Sequence, residues 1–175
     1  VAKSNSLYYY EHLQRGQLVL IHDPYPQKWN ITNETKKIND FLCYKATVFF
    51  RGVEWVVWFA PSISYPYGPW KLRGLPGLIM EAHDVNYRYN YSVKTIELKK
   101  EQGLLNQKFN ELVSENIYNE MNIVDFVNSK DEILQSLKSS VTSRGGSIES
   151  TFYDDKVRYG RELIYEWEEE AKNSI

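Results

Sequence analysis

The sequence predicts an α+β fold: a twisted antiparallel sheet, with a half-open, barrel-like form within its range, and C-terminal helices packed on it. Three observations predict it. Residues 1–99 carry strand-like runs bounded by turn residues, residues 100–175 carry helical apolar spacing, and an aromatic share of 15% favours sheet and binding surfaces. Strands followed by helices in 175 residues make one α+β domain, residues 1–175, the expected organisation.

The elements follow in order. Leu18-Val19-Leu20-Ile21 is a short strand closed by Asp23-Pro24 and Pro26, which cannot continue a ladder. Trp29-Asn30-Ile31-Thr32 is a second, running into a polar stretch from Asn33 to Lys37. Phe41–Phe50, the turn Arg51-Gly52 and Val53–Ala60 form the clearest hairpin. Tyr44, Ala46, Val48 and Phe50 share one face, with Lys45 and Thr47 on the other. The return strand places Val53, Trp55, Val57 and Phe59 on one face and Glu54, Val56 and Trp58 on the other. Both faces are largely apolar, so a covering layer is expected. Residues 78–85 and 91–98 complete the meander through a polar connection at 86–90.

Gly74-Leu75-Pro76-Gly77-Leu78-Ile79 separates the hairpin from the next strand. Pro76-Gly77 suits the centre of a type II turn, with Gly77 at positive φ. Gly74, Pro76 and Gly77 are thus a structural turn. It sets a register in which Ile79 and Glu81 share one face, Leu78 and Met80 the other, and Leu75 or Leu78 is buried.

Beyond Lys99, Leu104, Leu105, Phe109, Leu112 and Val113 fit one helical stripe. Ser129 with Glu132 reads as a capping box, and Ile133, Leu134, Leu137 and Val141 as the apolar face of the helix it starts. A last amphipathic segment, residues 159–172, carries Leu163, Ile164 and Trp167 on one side. Glu168, Glu169 and Glu170 stand near its end, where they oppose the macrodipole.

A net charge of −2 with no basic half argues against nucleic acid as the main partner. No apolar run approaches the roughly 20 residues of a membrane-spanning helix. The chain opens at Val1 without an initiator Met or a signal-like segment, the pattern of a mature exported chain or of a fragment. Cys43 is the single cysteine, placed by the strand pattern as a buried, inert thiol.

Catalytic motifs are absent: no Gly-x-Ser-x-Gly elbow, no His-Glu-x-x-His, no phosphate-binding glycine loop, and no cofactor is expected. His22-Asp23 and His83-Asp84 each close an apolar strand. If those strands neighbour one another, the four side chains are candidate metal ligands; otherwise they are polar strand ends. Glu81 is an acid in an apolar strand, either a carboxyl with a raised pKa or an outward-facing residue. The stronger candidate is the proline-stiffened run of Tyr65, Tyr67, Trp70 and Arg73. It forms either a recognition surface or a loop whose rings complete the core.

From Trp29 to Asp84 the chain resembles the GLPGLI family, exported proteins known chiefly from Bacteroidota. The residues that carry the likeness are Trp29, Ile31, Glu34-Thr35-Lys36-Lys37-Ile38, Phe41, Cys43, Lys45-Ala46, Trp58-Phe59, Pro61, Gly68-Pro69-Trp70 and the name motif at 74–79. The C-terminal third departs from the family's ending. The resemblance implies a periplasmic or outer-membrane-associated location, and no established activity comes with it. Together these readings lead to a non-enzymatic exported envelope protein. It binds an apolar or peptide-like ligand, or a protein partner, through Tyr65, Tyr67, Trp70 and Arg73. The alternative is a metal- or carboxylate-dependent hydrolase of the envelope.

Overall fold

The α+β class expected from the sequence is the observed one. Its strands are divided between two open sheets, and a helix packs on the first of them. The computed structural model describes residues 2–3, 6–14, 17–97, 107, 111, 119–145 and 161–173. The expected stripe of Leu104, Leu105, Phe109, Leu112 and Val113 lies outside the described residues. The chain's contacts group into two compact units, Val1–Pro24 with Leu98–Val157, and Tyr25–Glu97 with Arg158–Ile175. No helix among the described residues is long and apolar enough to cross a membrane.

The first unit holds β1 (Ala2–Lys3), β2 (Ser6–Gln14), β3 (Gln17–Asp23) and β9 (Glu120–Asn122) in one sheet in that order. β1, β2 and β3 are antiparallel, whereas β9 joins β3 in parallel. β3 is therefore central, which is why Val19, Leu20 and Ile21 are buried in succession instead of alternating. The helix α1 (Ile123–Ser143) starts directly from β9. Asn122 caps it by accepting from the Val124 N–H at 2.8 Å, so Ser129, the expected cap, lies inside the helix. The expected apolar face is also displaced. Ile123, Phe126 and Val127, at i, i+3 and i+4, are the buried residues of α1. Leu134, Leu137 and Val141 are exposed.

The second unit is an antiparallel meander of β4 (Asn30–Ile38), β5 (Phe41–Phe50), β6 (Val53–Ala60), β7 (Leu78–Asp84) and β8 (Asn90–Ser92). β4 runs through the polar stretch at 33–37, because an edge strand with one solvated face accepts polar residues. β8 is shorter than expected and ends at Ser92. The β5–β6 hairpin is as read: Arg51 (φ 57) and Gly52 (φ 74) are both left-handed, as a two-residue type I′ turn requires. Ala46, Val48, Phe50, Val53, Trp55, Val57 and Phe59 form the main core with Leu72, Leu75, Ile79 and Ala82. The cover over this face is therefore loop 61–77, which supplies Leu72 and Leu75, and not a helix. On the opposite face Cys43, Ala60, Ile63 and Met80 form a smaller cluster.

The strand register departs from the expected one at a single residue. Phe59 pairs with Ile79 and Trp58 with Glu81, so Met80 is an extra residue on β7, a bulge. Ile79 consequently joins the main core with Ala82, while Glu81 lies beside Trp58 on the other face. The last helix, α2 (Glu166–Asn173), also corrects the reading. Glu166, Glu168 and Glu169 occupy its first turn, where acids complement the macrodipole. Glu168 accepts from the Tyr165 N–H at 2.9 Å as in a capping box.

Candidate functional site

Loop 61–77 carries the candidate residues, and its backbone is fastened at close intervals. Tyr65 N–H donates to Ile63 O at 2.7 Å, Tyr67 N–H to Tyr65 O at 2.8 Å and Gly77 N–H to Leu75 O at 2.8 Å. These are three-residue turns, two of them centred on Pro66 and Pro76, whose fixed φ suits that shape. The expected type II turn at Pro76-Gly77 is thus replaced by a tighter one. Gly77 is absent from the left-handed residues, whereas Gly74 has φ +91. Gly77 is required for space: a Cβ there would lie 2.3 Å from Ala60 O and 2.8 Å from Pro61 Cα. The motif remains a structural turn, with Leu75 buried as expected.

Two bonds tie the loop to the sheet, Ile79 N–H donating to Tyr67 O at 2.9 Å and Leu78 N–H to Ile63 O at 3.0 Å, and a third closes the loop on itself, Gly74 N–H donating to Pro66 O at 3.0 Å. Gln27 grips the loop twice, donating to Lys71 O at 2.9 Å and accepting from the Arg73 N–H at 2.7 Å. Trp29 Nε1 donates to Arg73 O at 2.8 Å. This scaffold places the four predicted contact residues differently. Tyr65 and Tyr67 stand exposed, at 42% and 48%. Arg73 is buried, so sequence reasoning that set it on the surface is corrected. Tyr67 and Arg73 face each other across an isolated bridge.

Trp70 is half-buried and holds φ 56, a strained value for a bulky residue, worth on the order of 1–3 kcal/mol. Aromatic packing holds it there: its ring lies 5.6 Å from Trp55 and 5.9 Å from Phe50. Tyr89 and Tyr91 sit 6.1 and 6.3 Å from Trp55. Trp55 is the floor of this platform and Trp70, Tyr89 and Tyr91 its rim. Asp84 fixes one part of the rim, accepting from the Tyr89 N–H at 2.8 Å and from Arg88 Nε at 3.0 Å. Burial pushes the Asp84 carboxyl up, but the Tyr89 N–H and the Arg88 guanidinium outweigh it and hold it below the ordinary value.

The two His-Asp pairs do not share a sheet. β3 has β2 and β9 as neighbours, and β7 has β6 and β8. His22 stacks on Tyr8 with centroids 4.7 Å apart and has Glu120 at 3.9 Å. His83 stacks on Tyr87 at 4.2 Å. Asp23 and Asp84 are buried. The strand adjacency on which the metal candidates depended is therefore not formed. Among the described residues no three His, Cys, Asp or Glu side chains gather as a metal-holding group. Glu81 forms an ion pair with Lys36, whose ammonium lies 4.6 Å from the centre of the Trp58 ring. Cys43 is buried, and burial pushes its thiol above its ordinary value.

No protein-family model and no curated protein matches the chain. Two solved structures of PNGF-II, in C2 and P21 space groups, are similar to it at 16% identity. The first covers 72% of this chain and 23% of that one with a TM-score of 0.45. The second covers 71% and 22% with 0.46. The chain thus spans under a quarter of those proteins.

Several residues of this region carry no local sequence signal. Gln27 and Trp29 reach Arg73 across some forty positions, and Arg161 donates to the Tyr91 hydroxyl at 2.7 Å across seventy. Spacing rules report neighbours on one element, so contacts between distant elements escape them. Tyr89 and Tyr91 do alternate along the chain, which marks one strand face, and that was the available clue.

Proposed function

We propose that this is a non-enzymatic, exported envelope protein that binds a peptide-like or apolar partner through the tip of loop 61–77. One observation carries the reading: Tyr65 and Tyr67 are exposed on a backbone bonded to the sheet at Ile79 and Leu78. Exposed rings usually lose conformational freedom when they bind. Here the backbone is already ordered, so less binding energy is lost on contact. Tyrosine adds a large flat area with a polar tip and few rotatable bonds. The location rests on the resemblance of residues 29–84 to exported GLPGLI proteins.

The test is selection of peptides from a random dodecapeptide phage library on the purified chain, with native mass spectrometry for a co-purified lipid. Selected peptides are expected to lose binding at least tenfold on Tyr65→Ala/Tyr67→Ala with an unchanged melting temperature. Selection that yields only peptides indifferent to both tyrosines, with no bound lipid, contradicts the reading.

A further inference from the structure

The chain leaves the second unit at Glu97, passes through the first, and returns at Arg158. What returns lies across the aromatic platform. The Arg161 guanidinium sits 5.1 Å from the centre of the Trp70 ring and 5.9 Å from that of Tyr89, and donates to the Tyr91 hydroxyl at 2.7 Å. Glu162 accepts from Lys71 Nζ at 2.7 Å. The Leu163 and Ile164 N–H groups donate to Arg51 O at 2.8 and 3.3 Å. Gly52 leaves room for that backbone: a Cβ there would lie 2.9 Å from Ile164 N and 3.0 Å from Leu163 Cβ.

Each contact is of a kind used to recognise a separate peptide. A guanidinium stacks on rings, a carboxylate meets a lysine, and main-chain donors meet a carbonyl. Arg161 to Ile164 are half-buried, whereas Tyr165 behind them is buried with the Arg51 guanidinium 4.5 Å from its ring, and Glu166 pairs with Arg51 at 3.2 Å. The 8-residue α2 is too short to hold as an isolated helix, so these contacts hold it in place. Trp55 Nε1, in the floor, is buried and has no hydrogen-bond acceptor among the described residues, so the segment leaves a donor there unused.

We infer that the Trp70–Tyr89–Tyr91 platform with Lys71 and Arg51 O is a binding site for a short peptide bearing arginine followed by an acidic residue, occupied in cis by Arg161-Glu162. The inference rests on reading loop 61–77 as a peptide-binding element, and it adds a second site formed in part by Trp70 and Lys71 of that loop. It names the ligand class and adds that the chain's own C-terminal segment competes for the site. A tethered segment competes at an effective concentration on the order of millimolar, so an outside peptide binds visibly only when the segment is weakened.

The probe is a fluorescent synthetic peptide of residues 158–175, titrated by anisotropy into the full chain. Arg161→Ala in the chain, which weakens the segment and leaves the platform whole, is expected to tighten peptide binding at least tenfold over wild type. Adding Trp70→Ala, or placing Arg161→Ala in the peptide, is expected to remove that gain. A folded Arg161→Ala chain that fails to bind the peptide overturns the inference, as does binding indifferent to Trp70 or to the peptide's arginine. Arg161→Lys, which keeps the charge but loses the planar fork, replaces Arg161→Ala if that chain does not fold, with the same outcomes read. Tyr65→Ala/Tyr67→Ala is the separating control. It is expected to leave this exchange unchanged, so failure of the loop-tip reading and failure of this one give different results.

Discussion

Leu72 and Leu75, on the inner side of loop 61–77, are 1% exposed, whereas Tyr65 and Tyr67, a few residues earlier in the same loop, are 42% and 48% exposed. The inner side replaces a missing layer: it covers a sheet face made of Trp55, Val57 and Phe59, with Trp70 packed at its margin. The outer side contributes little to that core. The same polypeptide therefore closes one surface and presents another. The proline-centred turns and the Gln27 and Trp29 bonds allow this by holding the backbone while side chains alternate in purpose. Of the two alternatives that the sequence left open, the cover is formed by Leu72 and Leu75, and the exposed side of the same loop is where the proposed recognition surface would lie.

The sharpest way to break this contrast is at Gly77. Gly77→Ala puts a methyl group against the Ala60 carbonyl, where backbone must move, and is expected to cost roughly 3 kcal/mol. Gly74→Ala meets nothing within 4 Å and is opposed only by its φ of +91, so about 1–2 kcal/mol is expected. Urea denaturation of both variants checks the order, and equal losses would mean that Gly77 is not pinned by Ala60.

Next in size is Trp70→Ala, which removes a half-buried ring from against Trp55 and Phe50. About 2 kcal/mol is expected, below the 3–5 typical of a fully buried aromatic. A loss under about 0.5 kcal/mol in the same assay would move Trp70 to the outer side of the comparison.

Asp84→Asn tests the support under Tyr89, with a loss of about 1–2 kcal/mol from weakened charge-assisted bonds. Its sign with pH follows from the lowered folded value. The contribution is complete above the unfolded aspartate value of roughly 4 and is lost as pH falls from there through the folded value. Wild type and Asp84→Asn should therefore converge in melting temperature at low pH and separate at neutral pH. Parallel curves would contradict the assignment.

The smallest stability effect belongs to Tyr65→Ala and Tyr67→Ala, within about 0.5 kcal/mol each by thermal melting. A larger loss would place these rings in the core.

How much of this was legible depends on the range of the forces involved. The β5–β6 hairpin was, because alternation and a two-residue turn are local and each burial class follows from them. Arg51-Gly52 marks the turn, whose left-handed form is given by the φ values of 57 and 74. The split into two sheets was not, since β3 acquires β9 from a hundred residues away and no spacing rule records a parallel partner. The Met80 bulge was hidden because one unpaired residue leaves apolar composition unchanged while reversing the face of every residue beyond it. Gly77 shows the same limit. Pro-Gly signals a turn, but whether the glycine serves φ or space depends on Ala60, which is distant in sequence. Of the contact residues, Tyr65 and Tyr67 were readable as exposed aromatics, whereas Arg73 reads as a surface base and is drawn inward by bonds from Gln27 and Trp29.

The claim on which this account depends most is that loop 61–77 is a rigid extension of the sheet. Native-state hydrogen exchange followed by NMR measures it directly at three amides, Gly74, Leu78 and Ile79, whose acceptors are Pro66, Ile63 and Tyr67. All three are expected to exchange as slowly as the amides of Val57 and Phe59 in β6, opening only with the sheet. Exchange of the three within minutes, while β6 stays protected, would show a loop that opens by itself and would contradict it.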